Sequence, residues 1–238
     1  MKNLIPFFIV LFVIIFISSC SEDKTLPNSK PAKTSYPSLS EKETDSTILI
    51  GTQVWMKKNL DVDHYRNGDT IPEVKDPKIW AKLKTGAWCY YGNSLDEGKI
   101  YGKLYNWFAV NDPRGLAPAG WHIPTDTEWT TLTSNLGGES GAGGKMKSKG
   151  TLEGDDGLWF RPNTGASNES GFSALPGGWR GYYGTFSYVG SYSHWWTSSS
   201  DSNSDDAWDR YLSHNNSNIF RYLYSKGYGF SVRCIKDN

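Results

Sequence analysis

The chain has 238 residues, enough for one large domain or two small ones. Its 25 Lys and Arg residues balance its 25 Asp and Glu residues, so charge gives no reason to expect a nucleic-acid partner. The sequence has no basic run, no zinc-type spacing of Cys and His, and no phosphate-binding loop. Its 11 Trp, 14 Tyr, 10 Phe and 25 Gly favour strands and ordered loops over long helices.

Residues 1–19 have the layout of a bacterial signal peptide. Lys2 supplies a positive start, an apolar run extends from Leu4 to Ile17, and two serines precede Cys20. This ending resembles the lipobox of bacterial lipoproteins, in which the cysteine is acylated with palmitate-type chains and the leader is removed. The apolar run has roughly 14 residues, fewer than the ~20 that span a bilayer, so a retained transmembrane anchor is the weaker alternative.

Residues 20–47 are predicted to form a lipidated, disordered tether. They are rich in Ser, Lys, Glu, Thr and Pro, and such a segment cannot bury enough apolar surface to offset its ordering entropy. Directly after Cys20, Ser21-Glu22-Asp23-Lys24 resembles the surface-export signal of Bacteroidota lipoproteins. We therefore expect the lipid to anchor the protein to the outer membrane with its domain exposed at the surface. A periplasm-facing anchor stays open as the alternative.

One domain is expected over residues 48–238, because no linker or internal repeat follows residue 47. Its clearest helix signal is the capping box Thr125-Asp126-Thr127-Glu128. Trp129, Leu132 and Leu136 then recur at helical spacing, and Gly137 follows. Together these residues predict a helix at about 125–136.

Strands are expected mainly near the two ends of this domain. Residues 48–56 predict two short strands around a glycine turn, and residues 207–214 and 219–224 predict a hairpin. Residues 228–235 alternate in polarity and predict a single final strand. The glycine-rich segment 138–178 carries no sustained period and is expected to be mostly loop.

Six sequence blocks, in a fixed order, resemble one family of exported bacterial domains. The blocks are residues 50–56 with 59–60, 101–107, 116–126 with 128–129, 171–178, 195–199 and 229–234. Together they are similar to the Fibrobacter succinogenes major paralogous domain, over about residues 48–237.

This resemblance implies a fold class. The family is similar, more distantly, to the formylglycine-generating-enzyme (sulfatase-modifying factor) domains. Residues 122–129 of this chain resemble the Leu-Pro-Thr-Glu-Ala-Glu-Trp signature of those domains. The implied architecture is α+β and C-type-lectin-like. It has a twisted antiparallel sheet, a helix at about 125–136 and long irregular loops.

No catalytic residue is predicted, and the protein is not expected to be an enzyme. Formylglycine-generating oxidases hold copper with a close cysteine pair, whereas this domain has only Cys89 and Cys234, far apart in sequence. No nucleophile elbow or metal-binding histidine pair appears. The two cysteines are candidates for a disulfide. Some members of the family carry Cys where this chain has Ala117, so the resemblance does not supply this pairing.

Calcium is the one cofactor that the sequence brings into consideration. The candidate ligands are Asp201, Asn203, Asp205 and Asp209. Oxygen-bearing side chains at alternate positions of a loop can wrap Ca²⁺. The EF-hand pattern is not met, because Asp206 and Leu212 stand at its sixth and twelfth positions. A solvated polar loop without an ion is the alternative.

Aromatic residues are dense between Trp179 and Trp196, and four tyrosines there lie outside the family blocks. These candidate ligand-binding residues are Tyr182, Tyr183, Tyr188 and Tyr192. Aromatic faces suit the apolar faces of sugar rings, and the tyrosine hydroxyl adds a hydrogen-bonding group. Burial in a core beneath long loops is the alternative for these residues.

The resulting hypothesis is a lipoprotein that presents a non-catalytic carbohydrate-binding domain, with an extracellular polysaccharide as the first expected partner. A structural or protein-binding surface module without a small-ligand site is the second hypothesis. A glycan-processing enzyme is the third, because separations between carboxylates in space cannot be read from a sequence. Fold resemblance does not decide among them, because one fold supports many functions.

Overall fold

The computed structural model describes residues 46–237, all of which fall within one compact unit. The predicted signal peptide, Cys20 and residues 20–45 of the predicted tether lie outside the described residues. The first strand begins at Thr47, one residue before the expected domain boundary. Across residues 46–237, none of the helices combines the length and apolar character needed to cross a membrane.

The first sheet brings the opening hairpin beside the end of the chain. Its strands are β1 (Thr47–Ile50), β2 (Gln53–Met56), β5 (Trp121–His122) and β12 (Ile235–Lys236). The order is β1-β2-β12-β5 and every pairing is antiparallel. Gly51 turns between β1 and β2 with φ 62°, a conformation that glycine adopts without steric cost. The predicted opening strands and glycine turn are therefore confirmed.

The other strands form two further sheets. The three-stranded sheet, in the order β10-β9-β8, contains β8 (Tyr192–Ser200), β9 (Asp206–Ser213) and β10 (Phe220–Ser225). The five-stranded sheet, in the order β3-β4-β11-β6-β7, contains β3 (Trp88–Cys89), β4 (Leu104–Asn106), β6 (Trp179–Arg180), β7 (Phe186–Ser187) and β11 (Gly229–Phe230). All named strands pair antiparallel. The α+β class and the predicted hairpin are confirmed, but three sheets replace the one expected.

Residues 46–237 contain five α-helices, all short, and the longest of them is the one that the capping box predicts. They are α1 (Pro77–Trp80), α2 (Leu95–Tyr101), α3 (Trp107–Val110), α4 (Asp126–Asn135) and α5 (Glu139–Met146). In α4 the Thr125 hydroxyl accepts from the Glu128 amide at 3.2 Å, and the Glu128 carboxylate accepts from the Thr125 amide at 2.8 Å. The helix predicted at 125–136 is confirmed with its N-cap.

Helix α5 lies in the segment that was expected to be loop. It is irregular, because Ser140 and Gly141 have non-helical backbone angles. Its glycines allow close packing rather than disorder: a Cβ on Gly143 would lie 2.2 Å from the carbonyl oxygen of Asn218. Close approach of two backbones therefore explains a glycine run that sequence propensity assigns to a loop.

The single final strand predicted at 228–235 is wrong. The segment instead crosses between two sheets, with β11 in the five-stranded sheet and β12 in the four-stranded sheet. Between them, the Val232 and Cys234 carbonyls accept from the Leu60 and Met56 amides. Alternation of polar and apolar residues reports the two faces of extended chain. It does not report which neighbour each residue pairs with.

The core consists of two main clusters on either side of strand β8. Trp195 lies in a cluster with Trp129 of α4, whereas Trp196 lies in a second cluster with Phe230. Both tryptophans of β8 are fully buried. Because successive side chains of a strand point to opposite faces, this one tryptophan pair packs both layers.

Three buried cations hold the irregular segments together. The Lys147 ammonium donates to the carbonyls of Thr164, Ser213 and Asn216, each at 2.9 Å. Arg180 and Arg233 likewise donate to backbone carbonyls. In the described part of the chain, none of the three has a carboxylate at ion-pair distance. Burial lowers the pKa of Lys147 to about 8 and that of Arg233 to about 9.

His122 connects the start of α4 to the end of the chain. Its Nε2 lies 2.8 Å from Glu128 Oε1 and its Nδ1 lies 2.7 Å from Asp237 Oδ1. Burial opposes the charged imidazolium, but the hydrogen bonds to both carboxylates outweigh it and raise the pKa of His122 above 6.5. For Glu128, burial is likewise outweighed by bonds from Thr125 and His122, so its pKa falls below 4.5.

These pKa shifts predict a pH-dependent effect of the substitution His122→Gln. A raised histidine pKa stabilises the fold fully below 6.5, and the contribution is lost as pH rises through the folded-state pKa. The Glu128 contribution is lost as pH falls below 4.5. Urea unfolding should therefore show the largest stability difference from wild type near about pH 5.5 and little at about pH 9. An equal difference at both pH values would contradict the pairing.

Candidate ligand-binding surface

One face of the three-stranded sheet carries mostly aromatic rings. Residues paired across neighbouring strands share a face, as do alternate residues of one strand. The register therefore places on this face, strand by strand, Tyr192, His194 and Trp196; Asp209 and Tyr211; and Phe220, Tyr222 and Tyr224. The face packs against β11 of the five-stranded sheet through Phe230, whose ring lies 4.4 Å from that of Trp196.

Ten exposed or half-buried rings on and beside this face form what we call the aromatic surface. Its first group is Tyr182, Tyr183, Tyr222, Tyr224 and Tyr228, and its second group is Trp179, Tyr188, Tyr192, Tyr211 and Phe220. Ring centroids in contact are 3.9–5.5 Å apart in the first group. In the second group they are 4.6–6.3 Å apart. Each group is thus a continuous patch of rings.

The structure brings the four sequence-predicted tyrosines to this surface in two pairs. Tyr182 and Tyr183 are 40% and 68% exposed and belong to the first group. Tyr188 is 54% exposed and lies beside half-buried Tyr192 in the second group. Three of the four rings are therefore available to solvent, and the fourth supports its neighbour.

Tyr188 has a strained backbone. Its φ is 67°, in the left-handed region that bulky side chains rarely adopt. The Tyr188 ring lies 4.6 Å from that of Trp179, centroid to centroid. Such strain persists only where the surrounding structure enforces it, and it concentrates at ligand sites. The backbone conformation therefore singles out Tyr188 within the surface.

Three tyrosine hydroxyls of the surface, those of Tyr211, Tyr224 and Tyr228, remain protonated at neutral pH. Burial raises the pKa of Tyr211 and Tyr224, with the Asp209 carboxylate adding to the shift, and burial alone raises that of Tyr228. A protonated phenol both donates and accepts a hydrogen bond. The surface thus combines flat apolar faces with neutral polar groups, the combination that suits a polyhydroxylated ligand.

A family model described as the Fibrobacter succinogenes major domain matches residues 48–236. The chain belongs to this family. The match covers nearly all of the described residues, including every strand of the aromatic face. No curated protein and no solved structure matches the chain.

In this member of the family, the predicted calcium ligands are not gathered into one site. Asp209 lies inside β9, fully buried, with its Oδ2 2.5 Å from His194 Nδ1. The Asp201 carboxylate instead accepts from the Asn203 amide and the Ser204 hydroxyl within its own loop. Across the described residues, no group of three or more His, Cys, Asp or Glu side chains is placed to hold a metal ion. Strand pairing thus places Asp209 inside the sheet, whereas Asp201 lies in the loop that precedes β9.

The candidate disulfide of this family member is not formed in the structure. Cys89 and Cys234 are free thiols, both fully buried. Cys89 packs with Trp80 and Leu104, whereas Cys234 belongs to the larger core cluster around Trp196. Burial raises the pKa of each thiol to about 12, so both act as small apolar core residues.

The sequence does not single out half of the rings that form the aromatic surface. The five missed tyrosine and phenylalanine rings are Tyr211, Phe220, Tyr222, Tyr224 and Tyr228. The signal that finds them is the alternation of Phe220, Tyr222 and Tyr224 within a strand that the sequence does predict. Alternating aromatics define a face, but only the pairing with β9 shows that this face meets the four predicted tyrosines.

Proposed function

We propose that this protein is an exported lipoprotein whose domain binds glycans at the aromatic surface. The observation that carries the proposal is the exposure of tyrosine rings in both contiguous groups, including Tyr183, Tyr188 and Tyr222. A contiguous patch of exposed rings marks an interaction site more often than singly exposed rings do. Stacking on the C–H faces of sugars, with hydroxyls bonding to their edges, is the interaction that fits them.

The proposed ligand is a neutral polysaccharide. Residues 181–200 contain no Asp, Glu, Lys or Arg, so the loops and strand that carry half of the surface offer no ion-pair partner. His194 and Asp209, on the same face of the sheet as the rings, are buried and lie 2.5 Å apart, so neither is available to an ionic ligand. An ionic polysaccharide would find little to compensate its desolvation there.

A C-type-lectin-like fold, with distant similarity to the formylglycine-generating domains, is part of this proposal. Two features of the domain support it: long irregular segments around antiparallel sheets, and a first hairpin that pairs with the last strand. The binding residues would then lie on segments held by a rigid scaffold, as is common for ligand sites.

A polysaccharide array tests the binding proposal. Full-length protein in a sugar-free detergent should bind at least one neutral polysaccharide, and the binding should persist at high salt because no ion pair contributes. Absence of binding by protein with native circular dichroism would contradict the proposal. That result would favour a protein-binding role for the same rings.

Lipid anchoring is tested by the substitution Cys20→Ala. Two or more acyl chains give stable membrane residence, whereas the unmodified chain has no such anchor. The variant should leave the membrane fraction or retain its leader, as seen by fractionation and mass measurement. Normal processing and unchanged membrane binding of the Cys20→Ala variant would contradict the anchor at this residue.

A further inference from the structure

A cavity lies at the end of the aromatic surface where the first group reaches the β6–β7 loop. Its volume is about 120 Å³, and Tyr182 of the first group forms part of its wall. The other walls come from the end of α1, from Phe108 of α3, from Asp205 in the β8–β9 loop and from residues 225–227 around the β10–β11 turn. Loops that converge on a scaffold are a common place for ligand sites. The cavity is therefore a candidate binding site next to the ring surface.

Hydrogen bonds between its walls hold the cavity open. Trp80 Nε1 donates to the Gly227 carbonyl at 2.9 Å, which fastens the end of α1 to the β10–β11 turn. The Lys226 amide donates to the Asp205 carbonyl at 3.0 Å and joins the same turn to the β8–β9 loop. Trp80 itself is buried. Because the walls are tied together in this way, binding in the cavity needs little further ordering of the chain.

Aromatic rings form one part of the lining. Trp80 supplies a buried ring, Phe108 a half-buried one and Tyr182 a ring that is partly exposed. The Tyr182 ring also lies 5.5 Å from that of Tyr228, centroid to centroid, within the first group of the aromatic surface. The aromatic lining of the cavity is thus continuous with that surface.

Charged groups of both signs form another part of the lining. Lys84 and Lys226 supply ammonium groups, and Asp205 supplies a carboxylate. The Lys226 ammonium donates to the Ser204 carbonyl at 3.3 Å, which uses one of its three N–H groups. The cavity therefore offers hydrogen-bond donors and a hydrogen-bond acceptor to the same ligand.

This lining favours one class of ligand. A cation would meet the two ammonium groups, an anion would meet the Asp205 carboxylate, and an apolar molecule would desolvate all three charged groups without bonding to them. A sugar hydroxyl both donates and accepts a hydrogen bond. Bonds from such hydroxyls to charged groups are stronger than those between neutral groups. A neutral sugar ring, with its apolar face against the aromatic walls, satisfies every part of the lining.

The size of the cavity limits the ligand to one ring. Sites for drug-sized molecules have volumes of roughly 300–1,000 Å³, whereas this cavity has about 120 Å³. It has room for a single sugar residue but not for a length of polysaccharide chain.

We propose that this cavity is a subsite for one terminal neutral sugar residue, at a chain end or at the tip of a branch, of the polysaccharide whose chain lies on the aromatic surface. The identity of the polymer rests on the proposed function. In this arrangement the open rings contribute affinity for any neutral chain, and the cavity selects the residue with which the chain or branch ends. Tyr182, which belongs to both, is where the chain passes from one to the other.

Calorimetric titration of the full-length protein with glucose, galactose, mannose and N-acetylglucosamine tests the subsite. At least one of these neutral monosaccharides should bind with a Kd in the millimolar range. Ala81→Phe puts a ring at an exposed position of the cavity wall and should weaken this binding by at least about tenfold. Lys82→Phe is the matched control, because Lys82 is the next residue, is exposed and does not line the cavity. It should bind as the wild type does.

Asp205→Ala is the second variant. It removes the carboxylate acceptor but keeps the Asp205 carbonyl that accepts from the Lys226 amide, so the walls stay tied. Monosaccharide binding should weaken by about tenfold, because a hydrogen bond to a charged group is lost.

Three results would overturn the proposal. The first is that none of the four monosaccharides binds to the wild type. The second is that Ala81→Phe and Asp205→Ala both bind them with wild-type affinity. The third concerns glucuronate, the charged counterpart of glucose: if it binds more tightly than every neutral sugar, the cavity is an anion site.

The polysaccharide array separates this proposal from the proposed function. A polysaccharide that binds to the wild type should bind more weakly to Ala81→Phe and unchanged to Lys82→Phe. If it binds equally well to Ala81→Phe, the aromatic surface acts without the subsite and the present proposal is wrong. If no polysaccharide binds to the wild type, the proposed function fails, and the monosaccharide titration still decides whether the cavity is a sugar site.

Discussion

Replacing Lys147 by methionine should destabilise the domain by about 2–4 kcal/mol. The substitution leaves three carbonyls, of Thr164, Ser213 and Asn216, converging on a methyl group that cannot donate to them. Each buried acceptor left without a partner costs about 1–3 kcal/mol. Removing the desolvated ammonium offsets part of this cost, because burial already lowers its pKa to about 8.

Lys145→Met, two residues earlier in the last turn of α5, is the matched control for this measurement. The Lys145 side chain is partly exposed and lies 3.7 Å from the exposed carboxylate of Glu169, an ion pair of small value. Chemical unfolding should therefore show a change within about 0.5 kcal/mol for the control. Equal losses in the two variants would mean that the three carbonyl bonds do not hold the segments together.

Trp195→Ala should cost about 3–5 kcal/mol, the range for truncating a fully buried aromatic side chain. Its ring is 0% exposed and lies 5.6 Å and 5.8 Å from the rings of Phe172 and Trp129. Its Nε1 also donates to Asn59 Oδ1 at 2.9 Å, an acceptor that the variant leaves less well satisfied. Calorimetry should show a strongly lowered melting temperature.

Trp208→Ala on the neighbouring strand is the comparison for Trp195. The Trp208 ring is half-buried, and its main polar contact is the Arg221 guanidinium, 3.3 Å from the ring centroid. A cation–π contact of this kind contributes about 0.5–1 kcal/mol at an exposed site. A loss for Trp208→Ala as large as that for Trp195→Ala would contradict the core assignment.

The sequence predicts correctly those elements of this protein whose stabilising contacts are between residues close together in the chain. The capping box from Thr125 to Glu128 needs only its own side chains and amides, and it is found as predicted. The turn at Gly51 and the hairpin of β9 and β10 likewise depend on short-range geometry. These elements could be read from the sequence because their stabilising contacts lie within a few residues.

The failures come from contacts that are distant in sequence. Nothing within residues 228–235 indicates that the chain leaves one sheet for another, because the partners of Val232 and Cys234 are more than 170 residues away. Asp209 shows the same limit. Its spacing from Asp205 suggested a shared loop, but pairing with β8 and β10 places it inside the sheet beside His194.

Part of the aromatic surface could be predicted from the sequence, and part of it could not. Tyr182, Tyr183, Tyr188 and Tyr192 could be selected from the sequence because they combine ring faces with hydroxyls and lie between family blocks. Their division into two groups, and the contribution of β10, could not be selected, because both depend on the register of three strands. The positive φ of Tyr188 is likewise visible only in the structure.

Glycan binding by single-ring variants tests the central claim most directly. Tyr222→Ala removes an exposed ring of the first group, and Tyr188→Asn removes one of the second with a residue that tolerates positive φ. Leu95→Ala is the control, because Leu95 is 60% exposed, is apolar and is not a member of the aromatic surface.

Affinity for the polysaccharide found on the array should fall roughly 3- to 10-fold in each tyrosine variant, since an aromatic contact contributes about 0.5–1.5 kcal/mol. All three variants should keep the wild-type free energy of unfolding to within about 0.5 kcal/mol, and Leu95→Ala should bind as the wild type does. Unchanged affinity in both tyrosine variants would contradict glycan binding at the aromatic surface.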